Sequence, residues 1–460
     1  MAAPNFWQNI KKQEEIFVKK KSLYQYIAPN ILAMVGISCY ILADTFFIAN
    51  GVGEIGLSAL NLALPMYCLT NVITALNLAL PIYGIIFAIG SMIGTGSAIR
   101  YALAKATDQQ EAKRYFSNAL IWDVIVSVIF IAAGLFFPGQ VMRVMGADTV
   151  IESIGIPYTR IVLCFTPFFM MNYAFTAFVR NDNAPHIAMA ATLLSSLFNI
   201  VFDYVFMFPL GMGMTGAALA TAVSPIVSIL ICMVHYLSPK SSVSFHFMVP
   251  SVKMLISSCS LGIVAFVGEI ASAVTTMVFN FVLLGLDGNT AVAAYGVIAN
   301  TALVGTAIFN GVSQGLQPLA SEAHAKGEAE EKKKILTKSV LTGIVLTVVL
   351  IGSVWIFAPQ ITDVFNSEHS EQLAAYAVPG IRIYFAGFFA AAINIIFAGF
   401  LSATDHAKES SIVAITRGIV AIIAFALVLP KFLGITGVWL AFPAAEVLTL
   451  FVALVISKKN

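Results

Sequence analysis

Three properties of this sequence point to an all-α integral membrane protein with twelve transmembrane helices in two pseudo-symmetric six-helix bundles. The first is composition. The 460 residues are 59% hydrophobic and 10% charged, with 35 Phe and a mean hydropathy of +0.90; a soluble chain of this length needs far more polar surface to cover itself. The second is an alternation of basic and bare connections between the apolar stretches. The third is an internal repeat.

Turn clusters separate apolar stretches beginning near residues 24, 57, 115, 155, 187, 215, 254, 291, 335, 374, 409 and 434. Each is long enough to cross a hydrocarbon layer about 30 Å thick as a helix. Lys11, Lys12, Lys19, Lys20 and Lys21 precede the first span. Lys and Arg then recur in every second connection: Arg100 to Arg114, Arg180, Lys240 to Lys253, Lys326 to Lys338, Lys408, and Lys458 with Lys459. The intervening connections are nearly bare, with Arg143, Arg160 and Lys431 as the main exceptions. By the positive-inside rule both termini are cytoplasmic, which requires an even number of spans. A multi-pass protein of the cell membrane is the expectation.

The repeat has an offset of 221 residues. "GMTGAALA" at Gly213 opens span six and "GITGVWLA" at Gly434 opens span twelve; "AKATDQQEAK" from Ala104 and "AKGEAEEKKK" from Ala325 follow spans two and eight. Two six-helix bundles are implied, residues 1–237 and 254–460, joined by a cytoplasmic linker at 238–253. Six is even, so both have one orientation, as parallel repeats do. A path for cargo between them follows from that geometry. Within span two, "ALNLALP" occurs at Ala59 and again at Ala75. Sixteen added residues lengthen a helix by about 24 Å, so this span must be very long, break, or push a segment out of the bilayer.

Several classes of function are excluded. A net charge of +2 without a dense basic face leaves nucleic acid without a binding surface. The five cysteines, Cys39, Cys68, Cys164, Cys232 and Cys259, lie in apolar segments without CxxC or Cys/His spacing, and read as packing thiols. The six histidines form no ligand cluster, and no GxxxxGK[ST] loop is present to bind ATP. No cofactor is called for, and a monomer is expected.

Five acids fall inside spans: Asp44, Asp123, Asp203, Glu269 and Glu446. A charge at the bilayer centre costs about 2.5 to 3.5 kcal/mol on insertion scales, so each needs a reason. Span one runs outward with Asp44 past its middle. Span five also runs outward, with Asn199 one turn below Asp203 on one face. Span six returns inward with Thr221 near its outer end. Two carboxylates, an amide oxygen and a hydroxyl thus share a depth in one bundle, and such hard oxygens suit Na⁺ or a shared proton. At the 221 offset, Asn199 and Asp203 align with Val420 and Ala424, so the second bundle lacks the pair. Asp123, placed near the cytoplasmic end of span three, and Glu446 read as structurally paired acids, with Arg382 and Arg417 as candidate partners. Pro29 interrupts the hydrogen bonds of span one and can kink it.

The pattern "NIVFDYVFMFPLGMGMTGAALAT", the span-one "ADTFFIANGVG" and Pro29 fifteen residues before Asp44 resemble the multidrug and toxic compound extrusion (MATE) transporters, in their MepA-like branch, over nearly the whole chain. The resemblance implies that Asp44, Asn199 and Asp203 form the cation site of the N-terminal bundle, with Thr221 and the backbone of Ala217 as span-six ligands. It also implies a role for Glu269, in "FVGEIASAV", toward a cationic substrate or a second cation, and for Pro29 as a conformational hinge. The function it implies is exchange of H⁺ or Na⁺ for amphipathic, cationic organic compounds, by alternating access between bundles. Phe165, Phe168, Phe169, Met170, Met171 and Tyr173 are candidates to line the cavity. A lipid-linked precursor flippase is the first alternative, opposed by the scarcity of Lys and Arg within spans. An intramembrane aspartyl enzyme built on Asp44 and Asp203 is the second, opposed by the twelve-span repeat and by Thr221.

Overall fold

The computed structural model describes residues 22–39, 64–105, 107–144, 149–365 and 370–458, and all secondary structure in them is helical. In chain order the spans are α1 (24–39), α2 (Leu64–Lys105), α3 (Gln109–Phe136), α4 (Thr149–Cys164 followed by Thr166–Asn181), α5 (Pro185–Met207) and α6 (Gly213–Tyr236). The second half has α7 (Val252–Gly288), α8 (Thr290–Ala325), α9 (Ala329–Phe365), α10 (Glu371–Ala386 followed by Phe388–Ala403), α11 (Ala407–Leu433) and α12 (Ile435–Ser457).

From α3 onward each span lies where the apolar runs place it. The largest differences are six residues, at α3 (109 against 115), α4 (149 against 155) and α9 (329 against 335). At α3 and α9 the cause is the same: the helix starts in the polar stretch before the apolar run. Asp108 caps α3 by accepting from the Gln110 and Glu111 backbone N–H groups, and Glu330 with Glu331 occupies the positive first turn of α9. Residues 59–63 of the near-duplication lie outside the described residues, and the rest of it belongs to one very long helix. α2 runs unbroken for 42 residues, about 63 Å, of which Tyr83–Lys105 is the apolar, membrane-spanning part with described side chains.

The two halves repeat in detail. α4 bends by 46° and α10 by 44°, each at a break between two half-helices. Gly213 and Gly434 both enter the last helix of their half with positive φ, 52° and 57°, a conformation that costs a glycine little. Two hydrophobic cores form, one from residues between Tyr83 and Val243, the other from residues between Phe279 and Ala445. α7 and α8 follow one helical path that reverses at Asp287 and Gly288, where φ of +68° again needs glycine.

The halves press together along α2–α7 and α1–α8. A Cβ at Gly96 would lie 2.1 Å from the Ser258 carbonyl oxygen, and one at Gly262 2.0 Å from that of Met92. A Cβ at Gly311 would meet Ile31 Cα at 2.5 Å, and one at Gly315 Ile27 Cα at 2.7 Å. Small residues let helix backbones approach this closely within a membrane. All four crossings lie in the half of the protein that carries Lys105, the linker and Lys326. Leu23, just before α1, and Ile27 of α1 add to this seal by packing on Val312, Leu316 and Ala320 of α8.

The linker is fastened rather than loose. Asp182, buried just after α4, accepts hydrogen bonds from Tyr101 Oη (2.6 Å), Lys105 Nζ (2.5 Å), the Ser242 backbone N–H (2.9 Å) and the Ser242 hydroxyl, and pairs with His235 Nε2 at 2.8 Å. Burial alone raises this acid; the hydrogen bonds from Lys105, Ser242 and Tyr101 and the Lys105 charge outweigh it, bringing the pKa to about 2. One carboxylate thereby ties the ends of α2, α4 and α6 to the connection between the halves. Further along, Asn118 of α3 exchanges hydrogen bonds with the backbone of Ser251, which caps α7.

Candidate cation site and its surroundings

α5 is amphipathic in the sense a membrane inverts: Leu197, Val201 and Tyr204 are exposed, whereas Ser196, Asn199, Asp203 and Met207 are buried against the protein. Asn199 and Asp203 are 0% exposed. Asn199 lies eight residues before the end of α5, and Thr221 eight residues after the start of α6, each about 12 Å along its helix. The antiparallel pair therefore brings them level. Ala217, Ala218, Ala220 and Ala222 keep this face of α6 small enough for close approach.

The Asn199 amide has two orientations. In one, its nitrogen donates to Thr221 Oγ1 at 3.3 Å. In the other, the nitrogen donates to Asp203 Oδ2 at 3.2 Å and the oxygen accepts from the Thr221 backbone N–H at 3.3 Å. An ionised carboxylate offers no proton, so the second orientation satisfies both ends and is the one adopted with a charged Asp203. Asn199, Asp203 and Thr221 are thus one hydrogen-bonded polar group. Ala217 is buried one turn before Thr221 on α6. Asp44 lies outside the described residues. Pro29 is buried in α1, whose helix continues through it to residue 39.

Glu269 is elsewhere. It sits on α7, half-buried, where it accepts a hydrogen bond from Tyr173 Oη of α4 at 3.2 Å, a contact between the halves. Tyr173 heads an aromatic column: its ring is 5.9 Å from Phe87, which is 5.7 Å from Phe169, which is 5.7 Å from Tyr83. Of the other cavity candidates, Phe169 and Met170 are buried in the first core, and Met171 lines an apolar groove with Phe116, Met233 and Phe245 of the linker.

Glu446 is a paired acid. Arg417 Nε donates to its Oε1 at 2.6 Å and Asn394 Nδ2 to its Oε2 at 2.8 Å. Arg417 lies in a π-turn, Thr416–Val420, inside α11; Arg382 is not the partner. Asp123 corrects two expectations. It is residue fifteen of the 28 in α3, at the middle of the span and not its cytoplasmic end, and neither of its carboxylate oxygens meets a donor among the described residues. At the 221 offset, Val420 is exposed and Ala424 is apolar, so no counterpart of the Asn199–Asp203 pair exists in α11.

Two residues escape a reading by charge placement. Arg180 was assigned to a connection, yet it is buried at the end of α4, donating to Gln314 Oε1 of α8 at 2.8 Å and to Asn30 Oδ1 of α1 at 3.4 Å. It spans both halves at the sealed end. Asp182 follows two residues later, and the short "RND" carries no signal of the donors gathered on it, the Ser241 hydroxyl among them.

The chain matches the MatE family model over residues 69–205 and 264–428, more than half its length. It is 26% identical over 455 residues to the multidrug export protein MepA of Staphylococcus saprophyticus, covering 97% of this chain and 96% of that protein. It is also 26% identical over 454 residues to the multidrug export protein MepA of Staphylococcus aureus, with the same coverage. Among solved structures, an outward-facing multidrug resistance MATE family transporter of the MOP superfamily superposes with TM-score 0.85 at 20% identity, over 95% of this chain and 94% of that one. A MOP superfamily transporter from Pyrococcus furiosus with a binding pocket of reversed polarity superposes with TM-score 0.84 at 20% identity, over 96% of both chains. The twelve-helix repeat, the buried polar residues of α5 and α6 and these matches agree: the chain is a membrane transporter of the MatE, or multidrug and toxic compound extrusion, family.

Proposed function

We propose that this transporter exports amphipathic, cationic organic compounds in exchange for H⁺ or Na⁺, working as a monomer in the cell membrane with both termini cytoplasmic. The observation that carries the reading is the buried group Asn199, Asp203 and Thr221, present in one half of a repeated structure and absent from the other. A carboxylate with neutral oxygens beside it binds a small hard cation or a proton. With the linker end in the cytoplasm, the glycine crossings close the inner side, and the arrangement is outward-facing. A cation entering from outside reaches the Asp203 group. Its binding must favour one state over the other, since a ligand shifts a conformational equilibrium only by its differential affinity. Glu269, between the halves and beside an aromatic column, is placed to recognise a positively charged aromatic cargo. The names of the staphylococcal relatives support multidrug export.

The test is transport of a fluorescent cationic dye in proteoliposomes under separately imposed Na⁺ and pH gradients. Dye movement driven by one of the two gradients is the expected result. Movement driven by neither overturns the exchange mechanism.

A further inference from the structure

We propose that Asp123 is a second proton-binding site, loaded in the present arrangement and emptied when α7 parts from α3. The side chain is 0% exposed, and both oxygens lack a donor among the described residues. Every other buried acid among the described residues is served: Asp182 by Tyr101, Lys105, His235 and the linker serines, Glu152 by Arg143, Glu446 by Arg417 and Asn394, Asp203 by Asn199; the half-buried Glu269 accepts from Tyr173. An ionised carboxylate without a donor or counter-charge is the form that such a place tolerates least, so Asp123 holds a proton there.

Its position makes that proton conditional. Asn118 of α3 clasps Ser251 at the foot of α7, and the two helices rise side by side from it. Asp123 is five residues up α3 and Cys259 eight residues up α7, and the two side chains are electrostatic neighbours. Cys259 is the titratable group facing Asp123 from α7. α4 brings Met171 and Asn172 to this level and α2 the stretch from Gly90 to Gly96, none of them titratable. Arg100 and Glu111 lie beside Tyr115, two turns below Asp123 on α3. Ser258 Oγ on α7 and Asn172 Oδ1 on α4 are also buried without partners among the described residues.

α3 belongs to the first half and α7 to the second, so exposing the opposite side of the membrane moves one against the other. Water then reaches the carboxyl, its O–H bond breaks, the proton passes to that water and the electron pair stays on the carboxylate. The site adds a proton to the exchange whichever ion occupies the Asp203 group.

Infrared difference spectroscopy of the purified wild type against Asp123→Asn, in alkaline buffer, tests the loading. A protonated-carboxyl stretch present in the wild type and missing from the variant is expected; identical spectra in that region overturn the proposal. Emptying is read from dye export against pH. Asp123→Asn, which cannot release a proton, should lose at least tenfold of pH-driven export while still inserted, and Asp123→Glu should restore part of it. An Asn variant with the wild-type pH profile overturns the proposal, whatever the infrared result. If wild-type protein moves no dye under any gradient, the function proposed above fails, and the infrared difference still decides whether Asp123 carries a proton.

Discussion

Asp203 is a buried carboxylate and Glu269 a half-buried one, and their partners point to different proposed work. Asp203 belongs to a group within one half, and Asp203→Asn keeps its volume while removing its negative charge. Efflux driven by an ion gradient should be lost with the protein still inserted; full drug resistance in cells expressing the variant would refute the assignment. Glu269 faces the other half through Tyr173. Glu269→Gln should therefore weaken export of cationic compounds more than of neutral ones, read as separate dose-response curves for the two classes, and equal losses would count against charge recognition. Asp182 acts on stability. Its pKa is depressed from 3.8 to about 2, so its contribution is present above the ordinary carboxylate value and is lost as pH falls through about 2. The shift corresponds to an order of 2 kcal/mol. Thermal unfolding should show that loss between about pH 4 and pH 2 in the wild type, and Asp182→Asn should flatten it.

At the scale of helices, the two halves use different polar devices in equivalent surroundings. α5 and α6 hold an acid with neutral oxygen partners, whereas α10, α11 and α12 hold an acid neutralised by Arg417. A balanced ion pair has no vacancy for a cation, which is why the second half reads as scaffold. Removing one member strands the other: Glu446→Gln leaves the half-buried Arg417 without its counter-charge and should destabilise by up to about 3 kcal/mol. Its ion preference in transport should stay that of the wild type, and a changed Na⁺ or H⁺ dependence would show that the pair takes part in coupling. The π-turn at Thr416–Val420 supplies the local re-aiming of Arg417, a use to which such turns are often put.

Across the whole molecule, the proposed exchange requires the seal between the halves to open. Four glycine crossings and the Arg180–Gln314 bond close the end carrying the linker. Gly262→Ala puts a methyl group 2.0 Å from the Met92 carbonyl oxygen, where backbone cannot give way cheaply. Overpacking of this kind costs about 1 to 3 kcal/mol, here charged to the sealed state alone. Spin labels on α2 and α7 should report a larger separation at the linker end in Gly262→Ala than in the wild type; an unchanged distance distribution would mean that the crossing does not hold the seal.

Apolar run length, basic alternation and the 221-residue repeat were enough to establish twelve helices, their order and the Asn199–Asp203–Thr221 depth, because each depends on local composition and on a bilayer of known thickness. Helix starts in water were less legible, since a cap such as Asp108 lies outside the apolar signal. Partners were not legible at all. Whether Arg417 or Arg382 meets Glu446, whether Asp123 meets anything, and that Arg180 and Asp182 are buried at the joint between halves all depend on helices far apart in the chain. Composition measures what a residue costs in a membrane; only the packing of other helices around it determines whether that cost is offset, and by which atom.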